Sequence, residues 1–197
     1  MFGLQRNKIP SLFVVYYLFL SIFNYFVQQL LYSVIDIETT GYPHNKITDI
    51  SVFVTNGKEV VQEFHSFVNP TVPIPYNIIE LTGITEDMVR TAPKFEQIAK
   101  EVEEITRNTI FVAHNVSFDF GQISKQFREM GFDYDRKKLC TVKMARKHLK
   151  GHKSYSLGKI CLDLNIPING RHRAKGDAEA TVVLLHKILN QTAGLFG

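Results

Sequence analysis

The run YSVIDIETTG, residues Tyr32 to Gly41, restricts the fold of this 197-residue chain more than any other segment. It is rich in β-branched residues and ends in glycine, the pattern of a strand running into a turn. Alternate side chains of a strand share a face, so Asp36 and Glu38 point one way and Ile35 and Ile37 the other. Two carboxylates held together repel. Either a cation lies between them, or the strand is an exposed edge whose acids are solvated.

Ahead of this strand no charge occurs from Ile9 to Ile35, and SLFVVYYLFLSIFNYFVQQLLYSV is long enough to cross a bilayer. Arg6 and Lys8, the only charges before the run, would keep the N-terminus in the cytoplasm and export the domain downstream of it. Asn24, Gln28 and Gln29 interrupt the run, and no A-x-A-like cleavage site precedes the strand. Two readings stand. Residues 1–31 are an apolar appendage to a domain spanning 32–197, or residues 12–31 anchor that domain to a membrane. The first ranks ahead because the strand at Tyr32 makes a natural opening element.

Beyond it, ITDISVFVTNGKEVVQEFHSFVNP reads as two strands joined at Asn56-Gly57. A proline-punctuated loop, PTVPIPYN, leads to short helical pieces at Ile78–Leu81 and from Thr85. Phe95, Ile98, Val102 and Ile105 have the spacing of an amphipathic helix, TIFVAHN that of a buried strand. Helices are expected over Ser117–Met130, Val142–Leu149, Ser156–Leu164 and Asp177–Leu189. Strands that lead and helices that then alternate with them define an α/β fold, a mixed central sheet flanked by helices.

Composition adds two constraints. Cys140 and Cys161 lack metal-site or disulfide-framework spacing, which suits a reducing, cytoplasmic location, with membrane attachment through the N-terminal run as the alternative. Of the +4 net charge, eight basic residues and no acid lie between Arg136 and Lys153, so the remainder is net acidic. That local charge fits a polyanion such as nucleic acid; a solvated helix face is the plainer reading.

Two further acidic positions fall at helix starts. Asp119, in HNVSFD, follows the strand that ends near His114; alone it is more often a capping residue. In HRAKGD, His172 stands on a loop five residues before Asp177, and Gly176 is expected to turn the chain into the last helix.

DIETTG, HNVSFD and HRAKGD, in this order, resemble the DEDDh 3′-to-5′ exonucleases, the family of the DNA polymerase III epsilon proofreading subunit, over Tyr32 to Leu189. The resemblance implies an RNase H-like fold. It assigns two divalent cations, Mg²⁺ or Mn²⁺, to Asp36, Glu38, Asp119 and Asp177, with His172 as general base. Family members that use tyrosine carry it where this chain has Arg173, so the histidine subclass is indicated. Thr39, Thr40, Gly41, Leu81, Thr82 and Ile84 are the implied contacts of the terminal nucleotide, with His114, Asn115 and Phe118 in support. For Phe118, core packing is the plainer reading; His114 can equally orient its loop.

Ser156 reads as a helix cap, Lys159 as a reserve phosphate contact, and His44, His65, His148, His152 and His186 as surface or packing residues. The expected substrate is nucleic acid with a free 3′ end, DNA before RNA and single-stranded before paired. An oligoribonuclease-like enzyme and a binding protein without catalysis are the alternatives. A homodimer, as in some members of that family, is a further expectation, and no polymerase tether is evident in the residues after the last helix.

Overall fold

The structure, a computed structural model, describes residues 30–193. The apolar run through residue 29, and with it the appendage and anchor readings, lies outside the described residues. Among those described, no helix is long and apolar enough to cross a membrane.

Five strands form one mixed sheet in the order β3-β2-β1-β4-β5. They are β1 (Tyr32–Thr39), β2 (Ile47–Thr55), β3 (Val60–Phe67), β4 (Ile110–Ala113) and β5 (Lys137–Cys140). The first three are an antiparallel meander, whereas β4 lies parallel to β1 and β5 parallel to β4. The β2–β3 turn is built on Asn56, whose side-chain oxygen accepts the N–H groups of Lys58 and Glu59, while Gly57 takes φ +88°. Strand β5 was not anticipated, and the basic run therefore forms no single helix face.

Seven helices are described: α1 (Tyr76–Thr82), α2 (Glu86–Val89), α3 (Phe95–Ile105), α4 (Val116–Glu129), α5 (Thr141–His148), α6 (Leu157–Asp163) and α7 (Ala174–Ala193). They cover both faces of the sheet. Ile35 and Ile37 of β1, with Ile50 and Val52 of β2, pack on Phe95, Val102, Ile123 and Phe127 of α3 and α4. On the other face Val34, Phe53 and Val112 meet Ala178, Val182 and Leu185 of α7. A third cluster joins α5, α6 and α7 through Ala145, Leu149, Ile160, Leu184 and Ile188. Helix α7 is thus buried on two sides, and its first turn is carried to the end of β1.

Gly176 serves differently from expectation. It lies inside α7, and a Cβ there would come within 1.8 Å of the Asn169 carbonyl oxygen and 2.8 Å of that of Gly170. The glycine lets the preceding loop cross directly over the helix. Gly176→Ala is expected to lower the unfolding free energy by about 2–3 kcal/mol, read from the urea midpoint, because backbone must move to admit the methyl group.

Candidate active site

Strand β1 is third of the five, so its two acids are not on an exposed edge. Val34, Asp36 and Glu38 succeed one another on the α7 face, with a bulge after Glu38 that ends the regular pairing. Asp119 reaches the same place from the first turn of α4. Asn115 makes this possible by adopting φ +78° between β4 and the helix, a conformation asparagine tolerates. The Asp119 carboxylate is buried, and its Oδ1 accepts the Ile37 N–H at 3.2 Å.

Asp177 arrives on the first turn of α7. Its Oδ2 accepts the His172 N–H at 3.0 Å, and its Oδ1 is buried with no hydrogen-bond partner. His172 has φ +60°, uncommon for a residue with a Cβ. Glu38, His172 and Asp177 each offer a ligand atom within 4.8 Å of the others. The chain thus brings together the four acids and the histidine singled out from the sequence.

The electrostatics are those of crowded, buried acids. Burial and then the charges of Asp119, Asp177, Glu38 and Asp49 hold Asp36 well above the carboxylate range. Burial, with Asp177, Asp49 and Asp119, pushes Glu38 up to about 8 despite Arg173. Asp119 is pushed up to about 7 by burial, against the N–H groups of Asp119 and Ile37. Burial also raises Asp177, opposed by the His172 N–H and the charges of His172 and Arg171.

The candidate nucleotide contacts divide. Thr39 Oγ1 accepts the Gly41 N–H, Thr40 Oγ1 that of Lys46, and both threonines are buried. Gly41, at φ +69°, lies against Ile78 of α1, where an added Cβ would sit 3.0 Å from Cδ1. Leu81 is 51% exposed. Thr82 instead donates to the Ile78 carbonyl, and Ile84 is fully buried with Ile74 and Val89, so neither side chain is free to meet a ligand. Phe118 is 41% exposed, against the expectation of core packing, and Asn115 is exposed. His114 is committed within the protein: Nε2 donates to the Tyr155 carbonyl at 2.9 Å and Nδ1 faces Thr141 Oγ1 at 3.0 Å. Burial lowers its pKa, in keeping with that neutral tautomer.

Asp49 escaped notice in the sequence, and so did the parts played by His65 and Arg173 as its partners. Directly opposite Glu38 on β2, Asp49 has a side chain shut off from solvent; Oδ1 pairs with His65 Nε2 at 2.8 Å, and Oδ2 accepts from Ala174 N–H at 3.3 Å and Arg173 Nε at 3.5 Å. An aspartate as the one charged residue of a nine-residue strand was the available signal.

The basic run also divides. Arg136 is occupied by the Thr106 and Glu103 carbonyls and the Tyr134 ring, and Lys138 lies 4.1 Å above the Phe120 ring centroid. Lys143, Arg146 and Lys153 instead line an open pocket of 570 Å³ with Asn115, Ser154 and Tyr155, and no acid borders it. At its floor burial raises the Cys140 thiol, but N–H groups from Lys143, Val116, Asn115 and Val142 leave it below its ordinary pKa, so two helix starts converge there. Ser156 stands at the N-cap of α6 without a side-chain capping bond.

Comparison with known proteins agrees with this geometry. Residues 33–185 match the family model described as Exonuclease (RNase_T). The chain is 37% identical over 161 residues to the PolC-type DNA polymerase III of Bacillus cereus, covering 80% of this chain and 11% of that protein. It is 35% identical over 162 residues to the 3′-5′ exonuclease DinG of Bacillus subtilis, covering 80% of this chain and 17% of that one. The chain therefore spans less than a fifth of the length of either relative. The fold superposes with a TM-score of 0.71 on the nuclease domain of 3′hExo, a DEDDh family member bound to rAMP, at 20% identity over 81% of this chain and 92% of that one. The fold is RNase H-like, and the chain belongs to the exonuclease family that this model describes.

Proposed function

We propose that this chain removes nucleotides one at a time from the 3′ end of single-stranded DNA, with two divalent cations held by Asp36, Glu38, Asp119 and Asp177. The observation that carries the reading is the convergence of Glu38, His172 and Asp177 within 4.8 Å, beside a buried Asp177 oxygen that no hydrogen bond satisfies. An orphaned oxygen among repelling acids fits a hard cation, and carboxylate oxygens suit Mg²⁺ or Mn²⁺. When bound, such cations neutralise the acids and offset charge developing on a phosphodiester.

The chain's own groups supply the remainder. His172, half-buried and tethered by its backbone to Asp177, takes a proton from the attacking water. The water oxygen bonds to phosphorus as the bond from phosphorus to the 3′ oxygen breaks, giving a nucleoside 5′-monophosphate and a new 3′-hydroxyl. The turn at Thr39–Gly41 and the exposed Leu81 hold the terminal nucleotide, and the exposed Phe118 lies against a base. The pocket of Lys143, Arg146 and Lys153 takes a backbone phosphate of the same strand. Likeness to a DNA polymerase supports DNA as the substrate.

On a 5′-labelled single-stranded DNA oligonucleotide with Mg²⁺ or Mn²⁺, stepwise shortening is expected. Asp36→Ala should abolish it, and His172→Ala should slow it by about 10²- to 10⁴-fold. Faster shortening of a matched RNA would reassign the substrate; no shortening of either by folded, cation-loaded protein would indicate a binding module.

Replacing Lys143, Arg146 and Lys153 together by alanine should raise KM about tenfold or more and reduce the salt slope of binding by about two, with kcat little changed. An unaltered slope would remove the pocket from the strand's path.

Without divalent cations, stability should fall as pH rises. Glu38 and Asp119 hold protons in the folded state up to about 8 and about 7, whereas the unfolded chain releases them near pH 4. The folded state therefore binds more protons across that interval, and its advantage is lost as pH passes through the folded values. Urea midpoints should drop between about pH 5 and pH 8 in chelator and recover with Mg²⁺, most at the higher pH.

A further inference from the structure

Asp49 places a third carboxylate on the face that bears Asp36 and Glu38, and like charges directly opposite one another on neighbouring strands are unfavourable. Its oxygens are nonetheless turned to other partners. Oδ1 is taken by His65, which stands on β3 opposite Ser51 and so lies diagonally across the sheet from Asp49. Oδ2 takes the N–H of Ala174, the first residue of α7, and the Arg173 side chain. Arg173 in turn lies 5.0 Å over the Phe67 ring, whose edge-on neighbour is His65 at 5.8 Å. With both oxygens engaged, Asp49 is not a further cation ligand. It reads as a clamp between β2 and the peptide just after His172.

That peptide is gripped from two sides. Asp177 holds the N–H of His172 and Asp49 that of Ala174, two residues later, and between these bonds His172 keeps φ +60°. A left-handed residue with a Cβ is held only where its surroundings over-determine it, and the direction of its side chain depends on both anchors. We propose that Asp49 is a positioning residue for the exonuclease reaction: through Ala174 and Arg173 it sets the angle at which His172 meets the acid cluster, and His65 holds Asp49 in that orientation. This rests on the base role given to His172 above.

The test is a double-mutant cycle on the full chain with Mg²⁺, reading the single-turnover rate of removal of the 3′-terminal nucleotide and the concentration of oligonucleotide that half-saturates it. Asp49→Asn keeps the shape but sets an amide against a donor. It is expected to slow the step about 10- to 100-fold with less than about twofold change in half-saturation, and to have less than about twofold effect when His172→Ala is already present. His65→Gln, on a partly exposed position, serves if Asp49→Asn does not fold, and should act in the same direction with the same dependence on His172. Equal rate losses with and without His172, or no loss in either variant, would overturn the clamp while leaving His172 as the base. A full rate in His172→Ala itself would overturn the base role and the clamp with it.

Discussion

Mutual repulsion among buried carboxylates is the constraint around which this fold is arranged. Asp36 and Glu38 lie on the strand at the middle of the sheet, and Asp119 and Asp177 are brought to them from two separate helices. Each incoming acid is fastened by a backbone N–H, that of Ile37 for Asp119 and of His172 for Asp177. The strength of such bonds to a charged acceptor partly offsets the loss of water. The helices therefore have little freedom in where they begin. Sliding α4 by one turn toward the site would put Ile123 in the place of Asp119, and the same shift of α7 would put Thr181 in the place of Asp177, so neither position would offer a carboxylate.

The two faces of the sheet divide the work. The side with α3 and α4 is a continuous apolar core containing Phe111, Phe127 and Tyr134, whose rings meet edge-on or stacked. The α7 side is apolar near Val34 and acidic further along the same strand. A single strand thus passes from structural to chemical duty over three alternate positions. The bulge after Glu38 then lets the chain leave toward the Gly41 turn.

Much of this was legible in the amino-acid order because it is local. Period-two alternation placed Asp36 and Glu38 on one face, Asn56-Gly57 marked the hairpin, and the spacing from Phe95 to Ile105 marked α3. What escaped is non-local. Strand β5 contains two lysines in four residues and exists because β4 offers it a parallel partner. The ring of His114 is occupied by Thr141 and Tyr155, which stand far along the chain, as the buried Ile84 depends on Ile74 and Val89. Asp49 was passed over because its partners, His65, Arg173 and Ala174, come from distant parts of the chain. Gly176 was correctly noticed, but for a turn instead of the crossing that its missing side chain permits.

The order of the strands also bears on how the chain folds. Strands β1 to β3 are joined by short connections, so their pairing closes small loops, whereas β1 meets β4 by pairing Tyr32 with Ile110 across a long excursion. Contacts that close long loops are the slower to form. The meander already contains Asp36, Glu38, Asp49 and His65, so the early part of the sheet carries three of the clustered acids together with one group that pairs with them. Asp119 and Asp177 join through the long-range contacts of α4 and α7. Part of the unfavourable charge thus arises with the meander, and the rest in the closing steps that bring in Asp119 and Asp177, so dissolved cations bear on the completion of the native state as well as on the first strand pairing.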